Sequence, residues 1–293
     1  MENKIKLITD AASDILHKDY KDIDVVDFFI YDATSDKEVN AKNVDELYKA
    51  MIEEGKVFKT ACPTIDTYYQ KFMENFKSGY ATICVCISSK FSGSFNSASV
   101  AKMQVLESHP NAEIAVIDSK GNSALEMLVV LAIHGMIKAG FSYELIQINI
   151  NKLIPTGKIM FTVETVDYLK KGGRIGKVSA FVASALNLKP IIVLRDGDIG
   201  LGGIAFGIKR TLLKTLELVK SHFHKEGENI KDYDFVVGYS SDINAGENFL
   251  NQASDFLKIN ENDVLFKQIT ECPAVHTGPN TLGIAFLKKF NLV

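Results

Sequence analysis

The sequence contains few cysteines, and their spacing fits neither a metal site nor a disulfide framework. Four cysteines occur in 293 residues, and no two of them form a CxxC pair. Such pairs are the usual sign of a zinc site or a redox-active motif. Cys84 and Cys86 lie two positions apart in an apolar run. We therefore expect both to point to the same side of a strand and to fill core space.

Long apolar runs and clusters of basic residues are also missing. No uninterrupted apolar stretch reaches the roughly 18 residues of a membrane-spanning helix. The start, MENKIKLITD, lacks the apolar region and the cleavage site of a secretory signal. The 33 Lys and Arg residues are scattered among 36 Asp and Glu, for a net charge of −3, whereas nucleic-acid-binding proteins carry a basic stripe. We expect a cytoplasmic protein that does not bind nucleic acid.

Sequence motifs of common enzyme classes are absent as well. There is no G-x-S-x-G, no H-E-x-x-H, and no G-x-G-x-x-G after the first predicted strand. The segment GRIGKV ends like a phosphate-binding P-loop, but Lys171 stands where the first glycine belongs, and Val178 stands where Ser or Thr would bind magnesium. Asp10, Asp14 and Asp118 lie on separate loops, where capping and turn roles are expected. We expect no catalytic residue and no metal site.

The first half of the sequence alternates between two kinds of hydrophobic pattern. Short apolar runs predict strands, and apolar residues at helical spacing predict helices, with Asn43 as an N-cap. The predicted strands are 4–9, 24–31, 80–87 and 112–117, and the predicted helices are 43–54, 65–77 and 123–139. The loop FKTACPT is expected to link two of these helices. This alternation predicts an α/β fold with a mostly parallel sheet flanked by helices.

The pattern changes after about residue 155. Closely paired apolar runs around the Asp-Gly turn of RDGDIG favour a mixed or antiparallel sheet. The predicted strands are 159–163, 188–194, 233–240 and 263–269, and the predicted helices are a short one ending at KKGG and longer ones at 177–187, 207–225 and 245–257. We therefore predict two domains, 1–155 with a parallel sheet and 156–293 with a mixed or antiparallel sheet.

Small polar residues follow several of the predicted parallel strands. The loop ISSKFSGSFNSA (87–98) holds five serines, and neighbouring loops carry Thr9, Ser13, Ser119 and Ser123. Loops at the carboxyl ends of parallel strands form the binding crevice of such sheets, and hydroxyl groups at a helix N-terminus suit a carboxylate or a phosphate. We expect a shared anion-binding crevice. The alternative is that Ser92 or Ser94 only caps the next helix.

Two further segments bring basic residues to glycine-rich turns. In YLKKGGRIG the paired glycines predict a helix end that projects Arg174, either as a surface ion-pair partner or as an anion clamp. In VHTGPNTLG, His276 precedes a loop of Gly and Pro, in which the backbone can approach a ligand. The alternative for His276 is a structural or simply exposed side chain.

Taken together and in order, these segments resemble a known family. ITDAASD, TACPT, ISSKFSGSFNSA, VIDS, YLKKGGRIG, LNLKP, KRT and HTGP occur in the order found in the DegV family, the bacterial fatty-acid-binding proteins that serve a separate fatty-acid kinase. The resemblance spans nearly the whole chain. It implies two α/β domains, the second of which covers a buried lipid, and no prosthetic group.

The resemblance also implies roles for individual residues. Thr60 of TACPT and Ser92 of SSKFSG are expected to hydrogen-bond the fatty-acid carboxylate. Arg174, Arg210 of KRT and His276 are expected to bind phosphate or to dock the kinase that phosphorylates the bound carboxylate. The protein would be a carrier in phospholipid metabolism and not an enzyme by itself. Such a role is compatible with transient contact with a membrane.

Six positions depart from the family's usual pattern. They are Ala11, Ala61, Cys62, Leu125, Met127 and Asn280. Two other functions stay open from the residues alone. One is a phosphotransferase or hydrolase with a serine nucleophile, and the other is a binding module for a small anion such as a sugar phosphate.

Overall fold

The computed structural model describes residues 4–40, 43–176, 178 and 188–293. The predicted helix at 177–187 lies outside the described residues, apart from Val178. The first half contains β1 (Ile5–Asp10), β2 (Ile23–Val26), β3 (Phe29–Asp32), α1 (Val44–Glu53), β4 (Phe58–Ala61), α2 (Ile65–Lys77), β5 (Ala81–Cys86), α3 (Ser94–Ser108), β6 (Ile114–Asp118), α4 (Ser123–Lys138) and α5 (Tyr143–Leu153). The second half contains β7 (Lys158–Thr162), α6 (Asp167–Lys171), β8 (Leu188–Arg195), β9 (Asp198–Phe206), α7 (Ile208–Glu226), β10 (Tyr233–Tyr239), α8 (Ile243–Leu257), β11 (Val264–Gln268), α9 (Glu271–Thr277) and β12 (Leu282–Lys288).

The first sheet is parallel, in the order β2-β1-β5-β6. Its strand β5 is buried along its whole length, because α2 and α3 cover one face of the sheet and α4 covers the other. A strand that is buried on both faces needs a continuous apolar run, which ATICVC supplies. Cys84 and Cys86 point to the same side, with 3.8 Å between their sulfur atoms, as predicted.

The run at 24–31, predicted as one strand, forms two. The strand β2 belongs to the parallel sheet, whereas β3 pairs antiparallel with β4 in a separate two-stranded sheet. This pairing also corrects the prediction for FKTACPT. Its first half is the strand β4, and Thr60 lies opposite Ile30. Thr60 is therefore held by a strand ladder and does not lie in a loop between helices.

The second sheet is mixed, in the order β11-β10-β12-β7-β8-β9. Only β10 and β11 pair in parallel among its described strands. The predicted turn between β8 and β9 is confirmed, since Asp196 and Gly197 both have positive φ angles, 50° and 78°, as a two-residue hairpin turn requires. The helices α7 and α8 pack on one face.

Helix α4 lies between the two sheets. Its sequence, SALEMLVVLAIHGMIK, is apolar almost all round, and a helix of this kind must be buried on every side. It packs against β1 and β5 and also against β10 and β12. The chain therefore has an α/β fold with one parallel and one mixed sheet joined through a central helix.

A domain boundary near residue 155 stays a prediction. It falls between α5 and β7. Within the described ranges, no helix combines the length and the apolar character that crossing a membrane requires.

Candidate functional site

A cavity opens between segments from both halves of the chain. Its cavity volume is about 80 Å³. Four of the five predicted site residues line it, namely Thr60, Ser92, Arg174 and His276. Most of the remaining wall is apolar, with Phe28, Ile87, Phe91, Phe161, Leu169 and Ile199. The cavity thus combines a polar end with an apolar wall, which is typical of sites for amphipathic ligands.

Thr60 and His276 are hydrogen-bonded to each other. Thr60 Oγ1 lies 2.8 Å from His276 Nε2, although the two residues are 216 positions apart. Burial lowers the pKa of His276 to about 4, and the nearby charge of Arg174 acts in the same direction. The imidazole is therefore neutral at pH 7.

The tautomer of this neutral ring decides what Thr60 can donate. His276 Nδ1 is buried and has no hydrogen-bond partner among the described residues. A buried N–H without a partner is rarer than a buried acceptor without one, which favours the tautomer with its proton on Nε2. In that tautomer Nε2 donates to Thr60 Oγ1. The hydroxyl proton of Thr60 is then available to a ligand in the cavity.

The glycines around His276 serve helix packing. His276 lies in the last turn of α9, directly before the loop of Gly278 and Pro279 that the sequence indicated. A Cβ atom at Gly172 would overlap His276 Nδ1, and a Cβ atom at Gly278 would overlap the ring of Tyr168. Gly278 also has a φ of 76°, which favours glycine. The absent side chains let α6 approach α9, and this contact places His276 at the cavity.

Ser92 and Ser94 differ in role: one is available to a ligand, and the other holds the start of a helix. Ser92 Oγ accepts a hydrogen bond from the Ser94 backbone N–H at 3.2 Å, so its own hydroxyl proton is available to a ligand. The side chain of Ser94 is buried and donates to Asp10 Oδ2 at 2.5 Å, and it also contacts the hydroxyl of Tyr68. Ser92 therefore faces the cavity, whereas Ser94 holds the start of α3 against the end of β1.

Arg174 follows the end of α6, where the sequence placed it. Its Nε donates to the Phe91 carbonyl at 3.1 Å, and its Nη1 donates to the Gly172 carbonyl. Carbonyl groups orient a guanidinium but do not neutralise it. Among the described residues, no carboxylate lies within ion-pair distance of Arg174. Its positive charge therefore remains available for an anion at the polar end of the cavity.

The other hydroxyl-bearing loops do not form the shared crevice that the sequence predicted. Their side chains are buried and donate to protein oxygens, and they are absent from the polar end of the cavity. These residues are Thr9, Ser13, Ser119 and Ser123. Thr9, Ser13 and Ser119 serve the packing of their own loops, whereas Ser123 joins the start of α4 to Asp14, because a buried hydroxyl group needs a hydrogen-bond partner wherever it lies.

The aspartates of these loops act as hydrogen-bond acceptors. Asp10 accepts from the backbone N–H groups of Ala12 and Ile87, and Asp118 accepts from those of Ser89 and Lys120. The described part of the chain contains no group of three His, Cys, Asp or Glu residues arranged for a metal ion.

Sequence reasoning missed a buried acid behind the serine loop. Glu126 of α4 is fully buried, and neither of its side-chain oxygens has a hydrogen-bond partner within the described ranges. Burial raises the pKa of Glu126 well above its usual value, and the neighbouring carboxylate of Asp10 raises it further. Burial therefore favours the protonated form of Glu126.

Arg210 is not among the residues that line the cavity. It lies exposed in the first turn of α7. Of the six departures from the family pattern, all of which are described, Cys62 alone is among the lining residues. Its sulfur packs next to Gly93, at the edge of the serine loop.

Comparisons with known proteins agree with this architecture. A family model described as "Uncharacterised protein, DegV family" matches residues 4–289. A DegV domain-containing protein of Clostridium perfringens is 27% identical over 97% of this chain and 97% of its own. Among solved structures, a stearic-acid-binding protein of Eubacterium ventriosum is 32% identical, with a TM-score of 0.90 over 99% of this chain and 100% of that chain.

A more distant structure has the same fold. The Fatty Acid Kinase (Fak) B3 protein of Streptococcus pneumoniae, solved with linoleic acid, is 24% identical, with a TM-score of 0.79 over 98% of this chain and 99% of that chain. The family match spans both sheets and every segment that contributes to the cavity. The chain therefore belongs to the DegV family.

Proposed function

We propose that the protein binds a long-chain fatty acid and presents its carboxylate to a separate fatty-acid kinase. One observation carries the proposal. Thr60, Ser92, Arg174 and His276 come from four separate segments, and they line the same cavity, whose other walls are largely apolar. A relative at 32% identity binds stearic acid, which supports the same ligand class here.

The polar end of the cavity suits a carboxylate. The hydroxyl groups of Thr60 and Ser92 each have a proton that no described protein group accepts. A buried carboxylate needs such donors, because without them its desolvation costs far more than burial of the chain returns. Neutral His276 keeps Thr60 in the donating orientation. We name this end of the cavity the head compartment.

A second, narrower space adjoins the head compartment, and we assign the acyl chain to it. This tail compartment, with a cavity volume of about 20 Å³, has Ile159, Gly238, Ile269 and Gly283 in its walls, which must separate to admit an acyl chain. Gly238 and Gly283 lie opposite each other on β10 and β12, and the absence of two side chains leaves space on the face of the sheet. Each buried CH₂ group contributes about 0.8 kcal/mol, so a long chain gains roughly 10 kcal/mol before ordering costs.

The kinase step uses the basic residues at the head compartment. We assign Arg174 to the phosphate that is added to the carboxylate, since its guanidinium is oriented by two carbonyl groups and carries an available charge. Arg210, exposed on α7, is assigned to contact with the kinase. The fold shared with the Fak B3 protein supports this partnership. The expected cytoplasmic location stays a prediction.

The test of the ligand is mass spectrometry of the protein purified from its own cells, first in the native state and then after extraction with organic solvent. We expect one fatty acid per chain. A protein that is empty and also fails to take up added fatty acids would rule out the proposal. A small polar anion found in place of a lipid would favour the alternative of an anion-binding module.

A further inference from the structure

Asn122 lies where the head compartment meets the tail compartment. It lines both spaces, together with Phe161, Pro273 and Thr277. An acyl chain that extends from the first compartment into the second must pass these four residues. Asn122 is therefore a polar side chain beside the path of an apolar ligand.

Among the described residues, the side chain of Asn122 does not take part in the hydrogen bonds that hold the start of α4. Asn122 is the N-cap residue of α4, a position at which Asn usually accepts a bond from a helix N–H. Here the side chain makes no capping bond. Its Oδ1 atom is buried and has no hydrogen-bond partner among the described residues. A buried polar atom of this kind needs an explanation, and a ligand group that pairs with it would supply one.

Neighbouring hydroxyl groups differ from Asn122 in this respect. Three of them line the tail compartment, and each donates to a protein oxygen. They belong to Ser123, Thr277 and Thr281. Among the described side chains at this passage, Asn122 is thus the one that still has an unused hydrogen-bonding group.

We propose that the preferred ligand is a fatty acid with a hydroxyl group on its chain, between the carboxylate and the tail, and that Asn122 binds this hydroxyl. The inference rests on the proposed fatty-acid function. An unsubstituted chain would leave Asn122 Oδ1 buried and unpaired in the complex, which disfavours it. A hydroxyl group both donates and accepts, so it pairs with the amide in either of its two orientations.

The experiment compares dissociation constants for octadecanoic acid and for hydroxyoctadecanoic acids that carry the hydroxyl group at successive positions along the chain. We expect at least one hydroxy acid to bind the unmodified protein about tenfold more tightly than octadecanoic acid does. Asn122→Leu should abolish this preference and bind octadecanoic acid at least as well. Asn122 has a φ of −150°, which Leu also adopts.

Thr277→Val is the matched control. Thr277 lines the same passage, but its hydroxyl already donates to the Pro273 carbonyl at 3.1 Å. The variant should change the affinity for both kinds of acid by the same factor and keep the preference.

Three results would overturn the inference. The first is a preference of the unmodified protein for octadecanoic acid. The second is a preference for a hydroxy acid that survives Asn122→Leu. The third is an equal loss of affinity for both acids in Asn122→Leu, which would place the ligand carboxylate at Asn122. In each of these cases fatty acids still bind, so the proposed function stands. Failure to bind any of the acids would remove both proposals. The first result needs no variant, so the inference can be tested even if Asn122→Leu does not fold.

Discussion

Asp14 and Thr270 are joined by two hydrogen bonds, although 256 positions separate them. The Thr270 backbone N–H donates to Asp14 Oδ1 at 2.9 Å, and the Thr270 hydroxyl donates to the same oxygen at 2.8 Å. Ser123 donates to the other carboxylate oxygen. Asp14 follows β1, Ser123 begins α4 and Thr270 precedes α9. One buried carboxylate therefore fixes three segments that surround the two compartments.

Replacing Asp14 should loosen this junction. Asp14→Ala leaves the Thr270 and Ser123 donors without their acceptor, and we expect a loss of about 3 kcal/mol in the free energy of unfolding. Asp14→Asn should lose less, because its amide oxygen still accepts from Thr270 and because Asn tolerates the φ of 57° found here. Urea unfolding measures both.

Asp242→Ala is the control for Asp14→Ala. Asp242 caps α8 through the Ala245 N–H, away from the cavity, so its loss should cost about 1 kcal/mol and leave fatty-acid affinity unchanged. If Asp14→Ala were no more destabilising than this control, Asp14 would not hold the junction.

His276 should make the stability of the protein depend on pH. Its pKa falls from 6.5 to about 4 in the folded state because the ring is buried. Between these values the unfolded chain binds a proton that the folded chain does not, so stability decreases as pH falls from about 6.5 to about 4. The decrease assigned to His276 reaches about 3 kcal/mol.

The measurement for this prediction is urea unfolding of the unmodified protein and of His276→Gln at several pH values between 4 and 7.5. The difference between the two proteins should be largest at pH 7.5 and should shrink toward pH 4. If the free energies of unfolding of the two proteins changed with pH in parallel, the burial assigned to the His276 ring would be wrong.

How much of the structure the sequence predicts depends on the length and the regularity of each segment. The helices α1 and α2 were predicted to within one residue because they are amphipathic and have clear N-caps. The helix α9 was missed because it has only seven residues and contains Pro273. The strand β12, LGIAFLK, is a short apolar run, and such runs do not distinguish a strand from part of a buried helix.

The site residues also differ in whether the sequence reveals them. Thr60, Ser92, Arg174 and His276 were found through local motifs and their order, and the structure brings all four to one cavity. No sequence pattern indicated that Glu126 and Asn122 would be buried. A polar side chain in or beside an apolar helix is buried without a hydrogen-bond partner only if the groups packed around it offer none. Those groups come from distant segments of the chain, so the local sequence does not reveal them.

The two hydroxyl donors of the head compartment can be tested one at a time. Ser92→Ala and Thr60→Val should each weaken fatty-acid binding about tenfold, because a hydrogen bond to a charged group contributes about 1.5–3 kcal/mol. Neither should change the free energy of unfolding by more than about 1 kcal/mol, since both residues are only partly buried. Ser89→Ala is the control, because Ser89 is exposed and outside the cavity. Equal affinities in all three variants would place the carboxylate elsewhere.

A side chain added at a glycine of the second sheet should fill the tail compartment. A Cβ atom at Gly238 would meet only Ile269 Cγ1, at 3.8 Å, so Gly238→Val adds bulk where we place the end of the acyl chain. The affinity for octadecanoic acid should fall at least tenfold, whereas the affinity for decanoic acid should change little. Gly203→Val on β9, outside both compartments, should leave both affinities unchanged. A parallel loss for both acids would show that the chain does not end at Gly238.

Arg174 and Arg210 should affect the kinase reaction in different ways. Arg174→Ala removes the charge at the head compartment, so acyl-phosphate formation with an added fatty-acid kinase should slow at least tenfold at saturating carrier, while fatty-acid retention changes less than threefold. Arg210→Ala alters an exposed side chain outside the cavity, so it should raise the kinase's KM for the carrier and leave kcat near its original value. If Arg174→Ala instead emptied the cavity of lipid, Arg174 would hold the carboxylate and not the phosphate. The separation of kcat from KM distinguishes a residue that contacts the reacting group from one that only aids docking, because only the former acts in the transition state.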